Sequence, residues 1–298
     1  MAADVTTNAS FSESPAKVSE WRRFVRVFFQ RRIVIFGFVV LIILVLTAIF
    51  ANQLAPYDPY KQNLKIILQP PSGQHLLGTD PIGRDTLSRL IFGTRTALLV
   101  GFVSVSIASV LGVTLGILAG YFRGITNVLI MRFTDILMPF PMIVLALLLA
   151  AVLGGGIQNV IIALGIATIP GYIRIMCGMT LSIKENDYIL AARSMGASHV
   201  RMMWRHILPN AIAPIIVVVT LQLGFLILAE AGLSFLGVGI RPPGAAWGAM
   251  VNEGYRYLVR QPILSVAPGA AIMLVVFAFN IVGDALRDAL DPRLRGTL

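Results

Sequence analysis

Residues 33–51 read IVIFGFVVLIILVLTAIFA, a run without a single charged side chain. A helix needs about 20 mostly apolar residues to cross the hydrocarbon core of a bilayer, and this run has that length. Five comparable stretches follow, at 96–120, 129–153, 160–179, 212–233 and 263–282. The pattern predicts an all-α integral membrane protein with six transmembrane helices. Composition agrees: 57% of the 298 residues are hydrophobic, 13% are charged, and mean hydropathy is +0.82. A soluble domain carries about 25% charged residues, so water cannot be this chain's only solvent.

An even number of spans puts both termini on one side. Of the 24 Lys and Arg, sixteen fall on that side. Cytoplasmic loops carry the excess of Lys and Arg, so both termini are expected in the cytoplasm. The net charge of +10 then reads as an orienting bias. Nucleic acid is not expected as a partner, because binding it needs a solvated basic face. Residues 1–32 divide into a polar tail and an amphipathic helix, in which Trp21, Phe24, Val25, Phe28 and Phe29 recur at helical spacing among five arginines. That pattern fits a helix lying at headgroup level. The tail lacks the apolar segment of a cleavable signal. The first span at 33–51 precedes an extracytoplasmic loop at 52–95. The core at 96–298 holds spans two to six, a cytoplasmic loop at 180–210 and an extracytoplasmic loop at 234–262. A lone Cys177 excludes an internal disulfide.

Within the spans, Ser104, Ala108, Gly112, Gly116 and Gly120 put a small residue on one helix face every turn. Such a groove admits another helix closely, within the bundle or across a subunit interface. Pro139 and Pro141 interrupt the third span, Pro170-Gly171 the fourth, Pro214 the fifth and Pro268 the sixth. Broken backbone at membrane depth persists where protein or a water-filled cavity satisfies it. The third and fifth spans are therefore candidates to line a path, with Asp135, Pro139, Pro141 and Gln222 as its candidate residues. Ionisable groups in or near the spans are few: Arg132, Asp135, Arg174, Glu230 and Asp284. Arg132 and Asp135 have the i, i+3 spacing of a helical ion pair.

The cytoplasmic loop is the most structured of the connections. Asn186 can cap a short helix with Tyr188, Ala191, Ala192 and Met195 on one face, and Gly196 can end it. Ser198 can cap a second helix carrying Val200, Met203, Trp204 and Ile207, ended by Leu208-Pro209. Such a unit is either a docking surface for a soluble partner or a linker folded on its own membrane domain. On the other side, Thr79-Asp80-Pro81 has the form of a helix cap with proline at the first helical position. Leu87, Leu90, Ile91 and Leu98 then run at helical spacing, leaving Arg84, Asp85 and Arg89 on a solvated or salt-bridged side. No GxxxxGK[ST] occurs, so the chain is not expected to hydrolyse ATP. His75, His199 and His206 form no HExxH and no metal-ligand cluster, and GxSxG is absent. Asp284, Asp288 and Asp291 share a helix face but alternate with Arg287, Arg293 and Arg295, the pattern of an ion-paired end.

Four blocks, taken together, resemble the permeases of dipeptide and oligopeptide ABC importers. They are His75-Leu76-Leu77-Gly78-Thr79-Asp80-Pro81-Ile82-Gly83-Arg84-Asp85 continuing through Ile91; Ala191-Ala192, Gly196 and Ile207-Leu208-Pro209-Asn210, which resemble the cytoplasmic EAA loop; Glu230-Ala231-Gly232-Leu233-Ser234-Phe235-Leu236-Gly237 with Pro242-Pro243 and Trp247-Gly248; and the C-terminal run from Gly283 to Arg295. The resemblance covers roughly residues 20 to 298 and points to the C-type permease subunit. It implies a type I ABC importer permease fold and a cell-membrane location. Implied partners are a homologous B-type permease, two ATP-binding subunits that use ATP and Mg, and an extracytoplasmic substrate-binding protein. This chain itself would bind no cofactor and no metal. The resemblance further implies that Asp187, Ala191, Ala192, Gly196, Leu208 and Pro209 belong to the loop that couples to the ATPase. Leu190 stands where the motif has glutamate, with Glu185 and Asp187 as the nearest acidic groups. A stand-alone secondary transporter is the alternative; it would show inverted repeats and midplane carboxylates, neither of which is evident. An intramembrane enzyme would need a convergent nucleophile, base or metal set, and none is seen.

Overall fold

The computed structural model describes residues 20–240 and 243–290. The tail at 1–19, Pro242 and the C-terminal Asp291, Pro292, Arg293 and Arg295 lie outside the described residues, as do the side chains of Trp21 and Arg23. Among the described residues the regular structure is helical. In chain order, α1 (Glu20–Phe28), α2 (Arg32–Ile49) and α3 (Ala51–Leu54) precede a long loop. Then come α4 (Thr86–Tyr121), α5 (Ile125–Leu137), α6 (Met142–Leu153), α7 (Ile157–Lys184) and α8 (Asp187–Ser194). α9 (His199–Arg201) leads through a π-helical turn, Met202–Ile207, into α10 (Leu208–Phe235), and α11 (Trp247–Tyr255) and α12 (Ile263–Leu290) follow.

Among the described residues, five helical stretches are long and apolar enough to cross a membrane: α2, α4, α7, the run from α9 through α10, and α12. The third expected span is not one straight helix. α5 and α6 meet at an angle of 88°, because Pro139 and Pro141 have no N–H to continue the ladder. The last bonds before the break are Met138 N–H to Thr134 and Phe140 N–H to Leu137. Pro170, Pro214 and Pro268, which also read as breakers, sit inside continuous helices.

The small-residue face of α4 is spent inside the chain. A Cβ on Gly112 would lie 2.4 Å from Cβ of Tyr172, one on Gly116 2.7 Å from the Ile173 carbonyl, and one on Gly120 2.6 Å from Cβ of Thr180. Ser104 Oγ donates to the Ile161 carbonyl at 3.1 Å. Lipid gives helices no hydrophobic reason to associate, so close van der Waals packing must hold α4 to α7. α10 and α12 pair by the same device, with Gly224 against Phe279 and Gly283 against Leu221. α2 lies outermost. Only Val34, Gly37, Val40 and Leu44 are buried on it, Leu41 packs partly buried beside them, and most of its other aliphatic side chains face outward as a lipid-solvated surface would. Arg31 reaches Asp288 at 3.4 Å on the surface, which joins the start of α2 to the end of α12.

Candidate functional site

Among the described residues, chemistry-bearing side chains gather chiefly at the two ends of α4 and at the bend between α5 and α6. At the C-terminal end of α4, α7 stops at Lys184, whose Nζ donates to the Tyr121 carbonyl at 3.0 Å. Asn186 occupies the N-cap position of α8, but its amide donates backward to the Ile183 carbonyl at 2.9 Å and makes no bond to α8. Ile189 and Ala192 turn inward onto a cluster that contains Val113, Ile117, Met176, Met202, Met203 and Ile207. The expected face of Tyr188, Ala191, Ala192 and Met195 is therefore divided. Tyr188, Ala191 and Met195 are exposed together with Asp187, Leu190 and Arg193, while Ala192 anchors the helix.

Gly196 ends α8 with φ +81°, and the N–H groups of Met195 and Ala197 reach back to Ala191 and Ala192. Ser198 Oγ then accepts from Arg201 N–H at 3.4 Å. The second helix does not stop at Leu208-Pro209. It runs on into α10 through the π turn, where Leu208 N–H bonds to the Met203 carbonyl five residues back. This wider turn admits Pro209 and changes the face. Met202, Met203 and Ile207 are buried, while Val200 and Trp204, expected beside them, are exposed. Tyr121 Oη meets His199 Nδ1 at 2.8 Å and ties the loop to α4. The loop thus packs one side on its own bundle and presents an apolar-and-charged outer side at a free end of the molecule.

At the N-terminal end of α4 the helix begins at Thr86, not after Asp80. Asp85 is the cap and accepts from Ser88 N–H at 2.8 Å and Ser88 Oγ at 2.7 Å. Asp80 instead closes a turn, accepting from the N–H of Ile82 and of Arg84. Arg84 and Arg89, expected on a solvated side, are buried to 3% and 1% relative exposure. Arg84 bridges Asp80 at 2.5 Å and Glu253 of α11 at 2.9 Å. Arg89 lies 3.7 Å from Asp80 and 3.4 Å from Glu253. His75 Nδ1 sits 2.8 Å from Asp85 Oδ1. Trp247 Nε1 donates to the Leu90 carbonyl at 3.0 Å. These bonds lock the long loop and α11 over the start of α4. Glu253 lies more than 160 positions from both arginines, so no periodicity could have joined them.

Glu230 is fully buried in α10 and accepts from Ser234 Oγ at 2.6 Å. At the bend, Asp135 does not pair with Arg132. Its Oδ1 accepts from Arg174 Nη2 of α7 at 2.7 Å, and both side chains are half exposed. Pro139 and Pro141 are exposed beside it, whereas Gln222 is half-buried on α10. The candidate path residues therefore divide: Asp135 and the prolines share the bend, and the structure shows no bond between them and Gln222. Arg174 is the member that spacing missed, and only its rarity as a charge inside a span marked it.

Comparison with known proteins places this geometry. Residues 112–296 match the family described as the binding-protein-dependent transport system inner membrane component. Residues 19–71 match the N-terminal TM domain of oligopeptide transport permease C. The glutathione transport system permease protein GsiD of Pectobacterium atrosepticum is 42% identical over 276 residues, 92% of either chain. The dipeptide transport system permease protein DppC of Alkalihalophilus pseudofirmus is 40% identical over 278 residues, 93% of this chain and 91% of that protein. Among solved structures, a chain of the MetNI methionine ABC transporter in inward-facing conformations superposes with TM-score 0.53 at 20% identity, over 68% of this chain and 96% of the other. That likeness supports the fold alone.

Proposed function

Because the chain belongs to the binding-protein-dependent transport system inner membrane component family, we propose that this permease forms half of the path of an importer for peptides and couples that path to ATPases through α8. It is a multi-pass membrane subunit and not itself an ATPase; proteins of this family act with permease, ATPase and binding-protein partners. The finer composition proposed is one homologous B-type permease, two ATP-binding subunits that consume ATP and Mg, and one extracytoplasmic binding protein. Both termini and the α8 loop face the cytoplasm, and the clasp of Arg84, Arg89, Asp80 and Glu253 faces the binding protein. The peptide class rests on the dipeptide, oligopeptide and glutathione systems named above.

One observation carries the coupling role: α8 exposes Tyr188, Leu190, Ala191 and Met195 while its other face is seated on α4, α7 and the π turn that continues into α10. Ile189 and Ala192 share a packed cluster with Met202, Met203, Ile207, Ala211 and Ile215, so a push on the exposed face has a contiguous packed route to α10. Nucleotide binding in a partner can then bias inward- and outward-facing states by its differential contacts at this helix. Asp187 and Arg193, exposed at the two ends of α8, offer charged contacts at the rim. Leu190 puts an apolar group where the related motif has a carboxylate.

Gly196→Val tests the coupling. Nothing lies within 4 Å of a Cβ there, so the side chain meets no neighbour, but φ +81° is a conformation a β-branched residue resists by roughly 1–3 kcal/mol. The expected outcome, in the complete importer reconstituted in liposomes, is a normal yield of complex with continuing ATP hydrolysis and loss of peptide uptake. Uptake at the unmodified rate would remove Gly196 from the coupling path.

A further inference from the structure

An ion pair on the surface of a soluble protein needs no explanation; one on the outside of a membrane helix does. Arg174 is ten residues from the C-terminal end of α7, about 15 Å along the axis at 1.5 Å per residue. The 28 residues of α7 span about 42 Å, and centred on a hydrocarbon core of about 30 Å they put the Arg174 backbone about 9 Å inside the edge, in the cytoplasmic half of the core. Asp135 is equally far, ten residues, from the start of α5. Yet both side chains are 50% exposed. Charges at this depth face protein or water and not lipid, so this face of α5 and α7 meets either the path or the second permease.

The surroundings add room. Gly171 and Gly178 lie three residues before and four after Arg174, on the same face of α7. A Cβ at either would have nothing within 4 Å. This is the reverse of Gly112, Gly116 and Gly120, whose missing side chains are filled by a neighbouring helix. Beside the pair, α7 therefore presents bare backbone to open space.

We infer that Asp135 and Arg174 form a subsite within the path for the zwitterionic backbone of a short peptide, with the peptide ammonium on Asp135 and its carboxylate on Arg174. The inference rests on the peptide-import reading above. Its chemical logic is exchange. Before substrate arrives each charge neutralises the other, so neither stands uncompensated at membrane depth. The peptide then replaces one ion pair by two, both charge-assisted. The termini of a dipeptide stand about 6–7 Å apart in an extended chain, so they can reach the two side chains only once the 2.7 Å bond has parted. The bare strip at Gly171 and Gly178 is where the backbone between them would lie.

The test uses the complete importer in liposomes, with the binding protein loaded with a radiolabelled dipeptide, and measures uptake, ATP hydrolysis and recovery of intact complex. Asp135→Asn and Arg174→Gln are expected to lower uptake at least tenfold while binding-protein-stimulated ATP hydrolysis stays within twofold. The neutral double variant, Asp135→Asn with Arg174→Gln, decides between roles. It leaves no unpaired charge, so a merely structural pair would be restored by it, whereas a subsite would stay lost; recovery of uptake overturns the proposal. Should these variants fail to assemble, Gly171→Leu and Gly178→Leu take their place, with assembly retained and uptake lowered at least tenfold as the expected result. Normal uptake overturns the proposal, and so does loss of assembly, which would assign the face to the second permease. If the unmodified importer moves no dipeptide at all, the peptide reading itself has failed, a result separable from any of these.

Discussion

At the scale of single residues, glycine means opposite things at different positions of this chain, and only the neighbours decide which. Gly112 and Gly116 are contact residues: the absence of Cβ is what lets α4 lie against Tyr172, Ile173 and Met176. Gly112→Val would force backbone apart at a contact already at van der Waals distance, and overpacking of this kind costs about 1–3 kcal/mol. Thermal unfolding of the purified permease in detergent should show a lowered midpoint for Gly112→Val. Gly171→Ala should leave the midpoint unchanged or raised, because open space and better helix propensity favour alanine. Equal effects at both positions would contradict the packing described. In the sequence the α4 stripe was legible as a close-packing face, but its partner was not. Spacing identifies a groove and says nothing about which helix fills it.

At the scale of elements, periodicity located the helices well and the breaks between them poorly. The 88° bend at Pro139 and Pro141 and the continuous helices through Pro170, Pro214 and Pro268 come from the same residue type. A lone proline inside a long span is absorbed by its neighbours, whereas two prolines one residue apart remove two donors from one turn. The π turn before Pro209 was invisible for a related reason: shifting the ladder by one residue moves Val200 and Trp204 outward without changing their spacing. The clasp was hidden more deeply. Nothing local announces that Arg84 and Arg89 are buried until α11 brings Glu253 to them. Glu253→Ala would leave two guanidinium groups short of a carboxylate, with only Asp80 in reach. Removing one partner of a buried pair typically costs about 3–5 kcal/mol; Glu253 is itself partly exposed, so the lower end is expected here. The measurement is the unfolding midpoint together with proteolysis of the 55–85 loop, which should become faster. Glu253→Gln, which keeps the shape and an acceptor, should fall between. An unchanged loop would show that the clasp does not hold it.

At the scale of the whole molecule, the two ends of α4 present different surfaces, and the excess of Lys and Arg leads us to propose that the α8 end meets the cytoplasm. The end formed by α8 and the π turn carries Lys184, Arg193, Arg201 and Arg205 on one short connection, and the opposite end carries the buried clasp, whose arginines are already neutralised. The chain offers a direct assay, because Cys177 is buried and a new cysteine can report alone. Val259, beyond α11, is 103% exposed, and Met195, at the end of α8, is 82% exposed. In intact cells a membrane-impermeant thiol reagent is expected to label Val259→Cys and spare Met195→Cys. After permeabilisation both should react. The reverse order would place both termini outside and detach α8 from any cytoplasmic ATPase, so one labelling experiment tests the orientation on which the coupling argument stands.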